Sequence, residues 1–499
     1  MSPASDDPST PAPANPAPVP SPAADEAGPG AGRVARQVVD FLVVLVAGIL
    51  VLRFFVAEAY VVPTGSMAPT ILGMHREHEC PNCSHRFSVG MDEGGQLAGY
   101  PVCPNCGNAE FAATTRVDAG GDRLLVQKFL YDLRPPRRWE VAVFQSPIEP
   151  DQAYVKRVVG LPGESVQVIG GDVWIDGTIA RKSLAEVRAT RIPVFDNQFQ
   201  PRDAARFPRW AFRAEAARRF TSTGWQADGA SFVHLPTAAS DAGLDWLEYR
   251  HWDPARGDYG PIRDSYPYNG GDNRGGNVVR DLLVTGSIAA GPGVEAVHLR
   301  LIHGGDTFVL AIPVDERGGV EVRRNGVPID LSSPARGLRS SPPTDPRREA
   351  FELAVVDRRI GATLGGVPLF DPVDYETTGP AVLATASPFA LGVVNGAVEV
   401  ADLRLYRDIH YTGELAATAR RPAAVDEPFQ LDADEFFVLG DNSPVSNDSR
   451  FWGDRPVVPR SRLLGKPFLV HLPGQVWGVR LFGHELGWIP DFREIRYIR

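Results

Sequence analysis

The pattern of apolar and polar positions divides the chain into unlike stretches. Residues 1–32 hold nine Pro and four acids, with no Leu, Ile or aromatic residue. Such a stretch cannot bury enough surface to fold, and it predicts a disordered tail. Val38 to Ala57 is apolar except for Asp40 and Arg53 near its ends. Twenty helical residues rise ~30 Å, so a single transmembrane helix is expected over 36–57, with a buried core helix as the alternative. Arg33 and Arg36 before it favour a cytoplasmic N-terminus, with everything beyond the helix on the extracytoplasmic side of the cell membrane. Ala57-Glu58-Ala59 resembles a leader-cleavage site, but the long tail in front of it argues for a retained anchor.

Beyond residue 58 the period falls to two, the spacing of strands. Between about 187 and 428, short alternating segments recur: Ala296–Ile302, Asp306–Ile312, Val320–Arg324, Phe351–Val356, Arg359–Leu364, Phe389–Val394 and Val398–Tyr406. Turn pairs such as Asn325-Gly326 and Asn395-Gly396 separate them. This rhythm predicts a β-sandwich insertion over 187–428. The expected fold class is therefore mainly β, built of antiparallel sheets behind one N-terminal helix.

Charge and composition narrow the function. A net charge of −10 over 499 residues argues against a nucleic-acid binder. Four Cys exclude a disulfide-dense scaffold. Only Lys128, Lys156, Lys182 and Lys466 supply lysine among 51 basic residues. In a chain that otherwise uses Arg, a Lys invites a role that needs a removable proton.

Ser66 lies in Tyr60-Val-Val-Pro-Thr-Gly-Ser-Met-Ala-Pro-Thr70, a turn after an extended apolar run. It is a candidate nucleophile if a base reaches it; alone it reads as a surface turn serine. Lys156 sits in the strand-like run Tyr154-Val-Lys-Arg-Val-Val-Gly160, on one face with Tyr154 and Val158, while Val155 and Arg157 point the other way. Burial there would lower the amine's pKa and make it a general base; the alternative is a Lys that reaches a surface carboxylate. In Gly440-Asp-Asn-Ser-Pro-Val-Ser446-Asn-Asp448-Ser-Arg450, Asp448 and Arg450 are spaced to pair, and Ser446 could hold a neutral amine.

Four motifs in this order, Ser66-Met-x-Pro-Thr, Gly121-Asp-x-Leu-x-Val-x-Lys128, Tyr154-Val-Lys-Arg-Val-Val-Gly-Leu-Pro-Gly-Glu164 and the Gly440–Arg450 cluster, resemble the sequence boxes of type I signal peptidases. The resemblance covers roughly 36–75, 115–186 and 430–480. It implies a membrane-bound serine endopeptidase that removes N-terminal signal peptides from exported preproteins after Ala-x-Ala. Ser66 would attack the scissile carbonyl, Lys156 would be the general base, and Ser446 would orient the lysine. Asp448 and Arg450 would brace the site, and Thr64 with the Ser66 N–H would form the oxyanion hole. Val62 and Val155 would line small-residue pockets for a substrate bound as an added strand. Lys128 would support a structural strand, and Lys182 and Lys466 read as surface charges. The peptidase domain would comprise 58–79, 107–186 and 429–499, and catalysis would need no cofactor. Partners would be preproteins and the lipid bilayer, with the secretion translocon as a further candidate. A self-cleaving cytoplasmic Ser/Lys peptidase fits the acidic charge and the membrane segment poorly.

Cys80-Pro-Asn-Cys83 and Cys103-Pro-Asn-Cys106 are paired knuckles of zinc-ribbon type, giving an inserted module over 80–106. A structural zinc or, outside the cytoplasm, two disulfides would satisfy them. His75, His78 and His85 are not needed as ligands. The large insertion resembles concanavalin-like jelly rolls, some of which bind glycans; an inactive membrane-anchored glycan-binding protein on a peptidase scaffold is the alternative function. Trp225, Trp246, Tyr249, Trp252, Tyr266 and Tyr268 read as core before sugar platforms, and Asp241, Asp245, Asp264 and Asp272 as turn residues.

Overall fold

A computed structural model describes residues 31–51 and 57–498, apart from 93, 112–115, 204–206, 215–223, 237–242, 254–255, 272–274, 315–317, 333–336, 341–346, 378–384, 395, 414–421, 475 and 482–483. Residues 1–30 of the expected tail, 52–56 of the expected anchor, and Asp241, Asp272 and Asn395 lie outside the described residues.

Helix α1 runs Ala31–Val51. It starts five residues before the expected anchor, at the Ala-Gly-Arg stretch assigned in part to the tail. Among the described residues no helix is long and apolar enough to cross a membrane. The described turns of α1 nonetheless expose a run of large apolar side chains, Phe41 at 66% and Val44 at 71% among them.

The remainder is mainly β. One antiparallel sheet is formed by β1 (Ala57–Val61), β2 (Arg123–Gln127), β3 (Val141–Gln145), β4 (Ala153–Gly160), β5 (Glu435–Leu439) and β6 (Leu463–Leu472). Their spatial order is β1-β2-β6-β3-β4-β5. Sequence neighbours therefore pair at β1-β2 and β3-β4, while β6 returns between them. β4 pairs β3 with Ala142 opposite Lys156. It pairs β5 with Val438 opposite Val158, after a register shift at Phe437. Both of its edges are hydrogen-bonded and both of its faces are covered, so that Lys156 on one face and Arg157 on the other lie inside the protein.

A small sheet follows β4: Ser165–Ile169, Asp172–Ile175, Thr178–Ile179 and, from far along the chain, Phe429–Gln430. Phe429 pairs with Val166, so the chain returns from its excursion beside the strand it left.

In between, two large sheets pack face to face. In one, Leu282–Ala290 lies between Val398–Arg407 and Glu349–Val356; in the other, Ala296–His303 lies between Asp306–Pro313 and Phe389–Val393. Leu299, Phe308, Leu310, Phe351, Val355 and Leu391 belong to their shared core. Burial alternates strictly along Ala296–His303, as the period-two sequence requires. The strand expected at Arg359–Leu364 has those bounds, and each of the other expected segments shifts by one or two residues at one end. Trp225, Trp246, Tyr249, Tyr266 and Tyr268 are buried, in line with a core role; Trp252 stacks on Phe207 with ring centroids 4.1 Å apart. Asp245 is a correction: it sits in a strand, not a turn, where its carboxylate accepts from the Gly224 N–H and contacts His234. Asp264 does brace a turn, through the N–H and side chain of Asn277.

Lys182 is a second correction, because it is no surface charge. It is 4% exposed, lies 2.8 Å from Asp408 and 3.1 Å from Asp357, and stacks over Trp139. Two carboxylates from the 187–428 segment thus hold one ammonium from the chain just before it, and their charge raises its pKa despite burial. Lys466 is also not free: it is half-buried and bonds Glu140 at 2.9 Å. Lys128 pairs with Glu58 on the neighbouring strand at 3.2 Å.

Candidate active site

The loop that carries Ser66, the candidate nucleophile, begins where β1 ends. Val62 continues the extended run, its N–H bonding the Asp122 carbonyl, and a turn carries Ser66 to Thr70. Met67 and Ile71 point into the core with Val62. The Asp122 carboxylate anchors the loop's far end, accepting from the N–H groups of Leu72 and Gly474 and from Arg496. A loop held at both ends costs little further ordering when it meets a substrate.

Ser66 is 9% exposed and Lys156 4% exposed. Lys156 Nζ lies 2.7 Å from Ser66 Oγ, and donates to the Val155 carbonyl at 3.1 Å. It stands over the Tyr154 ring, on the strand face that the sequence assigns to it. Removal from water disfavours the ammonium and lowers its pKa from 10.5 to about 8; Arg450 also lowers it, while Asp448 and Asp441 pull it back up.

Asp448 and Arg450 form a fully buried bidentate pair, at 2.9 and 2.7 Å. Asp448 also accepts from the Gly440 N–H. Ser446 departs from expectation. It is buried, but among the described residues its Oγ has no hydrogen-bond partner, and Lys156 Nζ is turned to Ser66 and to the Val155 carbonyl. Thr64 is exposed at the loop's outer edge. Val62 is buried and Val155 half-buried, both in one apolar cluster with Met67 and Val143.

The sequence reading passed over a second buried pair. Arg157, next to Lys156 but on the opposite face of β4, forks onto Asp441 at 2.8 and 2.5 Å. Asp441 also accepts from Thr70 Oγ1 at 2.6 Å. The residue was visible inside Gly-Asp-Asn; its partner was not, because 284 residues separate them. Asn442 was likewise overlooked: its N–H donates to the Ser66 carbonyl and its side chain to the Gly65 carbonyl.

The four cysteines converge. Cys80 and Cys106 sulfurs are 3.5 Å apart, Cys83 and Cys103 3.6 Å, and all four lie within 4.8 Å of one another. A tetrahedral zinc with bonds of ~2.3 Å places its sulfurs ~3.8 Å apart, whereas a disulfide needs ~2.05 Å. The donor set therefore fits a closed four-thiolate site. Both knuckles turn through a left-handed residue, Ser84 and Gly107, each donating back to the first Cys carbonyl of its pair.

Residues 114–214 and 396–472 match the family model described as "Signal peptidase, peptidase S26". A signal peptidase I of Leptolyngbya laminosa is 48% identical over 64 residues, 11% of this chain and 31% of that protein. A probable signal peptidase I-1 of Synechocystis sp. is 27% identical over 156 residues, 30% of this chain and 56% of its own length. The signal peptidase I of Pseudomonas aeruginosa is 29% identical over 131 residues, 24% and 30% respectively. The chain thus spans between 30% and 56% of the length of these relatives. Among solved structures, a Bacillus subtilis protein of unknown function with a galectin-like fold aligns at 10% identity and TM-score 0.29, over 44% of this chain and 98% of its own. A carbohydrate-binding module of the same organism aligns at 8% identity and TM-score 0.25, over 40% and 94%. Likeness this slight bears on nothing that the insertion binds.

Proposed function

We propose that this chain, similar to type I signal peptidases and matched by the S26 family model, is a membrane-anchored serine endopeptidase that cleaves signal peptides from exported preproteins after Ala-x-Ala. The observation that carries the proposal is the 2.7 Å approach of a buried, pKa-lowered Lys156 to Ser66 Oγ.

In this reading the neutral amine accepts the Ser66 hydroxyl proton as Oγ attacks the scissile carbonyl, and the ammonium then gives it to the leaving amine. An amine near about 8 holds a useful neutral fraction at physiological pH while remaining a competent acid. The Asp448–Arg450 pair fixes the Gly440 turn behind the dyad. The Ser66 N–H, which makes no hydrogen bond among the described residues, and the exposed Thr64 hydroxyl are the oxyanion donors, worth ~3 kcal/mol each in a transition state. Val62 and Val155 wall the pockets that favour small side chains. Ser446, whose buried hydroxyl has no hydrogen-bond partner among the described residues, is free to accept from or donate to the lysine once Ser66 has reacted.

Anchoring belongs to the same proposal. A helix that exposes Phe41, Leu42, Val43 and Val44 together is costly in water and suited to lipid. With Arg33 and Arg36 on the cytoplasmic side, the catalytic unit faces outward, where preproteins emerge from the translocon. Cys80, Cys83, Cys103 and Cys106 would hold a structural zinc, which locks the two knuckles and takes no part in the chemistry. The inactive glycan-binding alternative is not favoured, since the matched family is a peptidase family.

The test is cleavage of an Ala-x-Ala preprotein by the full chain in detergent, beside Ser66→Ala and Lys156→Ala. Cleavage after the small residue, lost in both variants, is expected; a parent that is folded yet inactive refutes the reading.

A further inference from the structure

The large insertion reaches the nucleophile loop. Its segment Tyr266–Asn269, a tight 3-10 turn at Pro267–Asn269, packs against both sides of the catalytic machinery. Tyr266 donates to the Asp441 carbonyl at 2.8 Å, and Tyr268 donates to the Met74 carbonyl at 2.8 Å. Tyr268 packs with Ala68 and Leu72 on the loop itself. The fit leaves no slack: a Cβ at Gly65 would stand 2.0 Å from the Tyr268 ring.

Asn269 makes the most specific contact. Its Nδ2 donates to Asn442 Oδ1 at 2.8 Å, and Asn442 Nδ2 donates to Asn269 Oδ1 at 2.7 Å. Both residues are buried, Asn442 completely. A primary amide has two N–H donors and one carbonyl oxygen. With its oxygen facing Asn269, Asn442 must present its second N–H elsewhere, and that N–H donates to the Gly65 carbonyl at 2.9 Å. The Gly65 carbonyl and the Ser66 N–H belong to one planar trans peptide and point in opposite directions. Pinning the carbonyl therefore aims the N–H. The Asn442 backbone N–H holds the Ser66 carbonyl at 3.0 Å, which fixes the next peptide as well.

We propose that Asn269, contributed by the inserted β domain, is a positioning residue for the nucleophile loop: through Asn442 it orients the Gly65–Ser66 peptide and so aims the Ser66 N–H at the oxyanion. This inference rests on the peptidase reading above. Under it the sandwich is part of the active-site scaffold, and the peptidase segments alone lack one wall of it.

The role separates from Lys156. Asn269 touches neither Lys156 nor its charged neighbours through any hydrogen bond of the described residues, so its loss should leave the base unchanged. Misaiming a catalytic group by about an ångström can cost ~100-fold in rate. In Asn269→Ala, kcat should fall ~10- to 100-fold while KM stays within about twofold and the inflection of the pH–rate profile stays in place. Asn269→Asp keeps an acceptor for Asn442 Nδ2 but loses the donor, and should recover part of the rate. Ile312→Val, a mild change in the distant sandwich core, serves as the control for general loosening. It should lower the melting temperature without lowering kcat.

A second readout is independent of preprotein cleavage: the rate at which a fluorophosphonate probe modifies Ser66, its Oγ displacing fluoride, followed by intact mass. If the parent is labelled at Ser66 but cuts no preprotein, the signal-peptide reading fails while slower labelling of Asn269→Ala still supports positioning. Parent-like cleavage and labelling in Asn269→Ala overturn the proposal. So does a pH inflection that moves, or a kcat loss that Ile312→Val reproduces. A parent that cannot be labelled at all has no activated serine to position, and the proposal falls with it.

Discussion

Replacing Lys156 by Met should stabilise the protein at neutral pH while abolishing activity, and the sign of the stability change should reverse in alkali. The side chain is 4% exposed, and burial holds its pKa at about 8 against an ordinary 10.5. A lysine whose folded pKa is depressed penalises folding below the folded value, where it must be charged in both states. The penalty disappears above the unfolded value, where it is neutral in both. The gap between about 8 and 10.5 corresponds to about 3 kcal/mol at pH 7 and to under ~1 kcal/mol at pH 10. Met fills a similar volume, and it forgoes the two polar contacts at Ser66 Oγ and the Val155 carbonyl, at ~1 kcal/mol for each of the more costly losses. The balance is a gain of ~1–2 kcal/mol at pH 7 and a loss of ~1 kcal/mol at pH 10. Urea unfolding of parent and variant across this range measures the difference, and groups that titrate in both proteins cancel. A variant less stable than the parent at pH 7 by an amount independent of pH would mean that the amine is not held near neutrality by burial. The same shift makes parental kcat rise with pH and level off above about 8.

Other consequences follow from the site's geometry. Asp441→Asn strands the fully buried Arg157 guanidinium and should destabilise by ~3–5 kcal/mol, read by urea midpoint; an exposed, weakly held pair would show far less. Lys182→Met leaves Asp357 and Asp408 buried without their cation, with a loss of similar size, ~3–5 kcal/mol, that lessens in mild acid as Asp357, whose pKa burial raises to about 7, takes up a proton. Gly440→Ala would place a Cβ 2.1 Å from Ser446 Oγ and 2.5 Å from the Ser66 carbonyl oxygen, so peptidase activity should collapse even where the chain still folds. Parent protein should carry one zinc by elemental analysis, and Cys103→Ser should lose both the metal and several degrees of melting temperature; a metal-free parent with unreactive thiols would point to disulfides instead.

The division between what the chain wrote locally and what the fold added runs along sequence separation. Period-two alternation fixed the strands of the insertion within a few residues, because each needs only its own side chains to choose an inner face. Ser66 and Lys156 stood out because Ser66 sits in a turn motif and Lys156 is one of four lysines in an Arg-rich chain; that they meet at 2.7 Å is a matter of the fold. The cysteine knuckles were legible because their spacing is local. What sequence could not supply was the partner of a buried charge. Lys182 looked like a surface residue until Asp357 and Asp408 arrived from the other side of the insertion. Arg157 gained its role from Asp441, and Ser446 was left without the lysine contact that its spacing suggested. Asn269 lay in an insertion outside every catalytic motif. Only the packing of that insertion against β5 and the nucleophile loop brings it to Asn442, since an amide pair is specified by two side chains in space and by nothing in either segment alone.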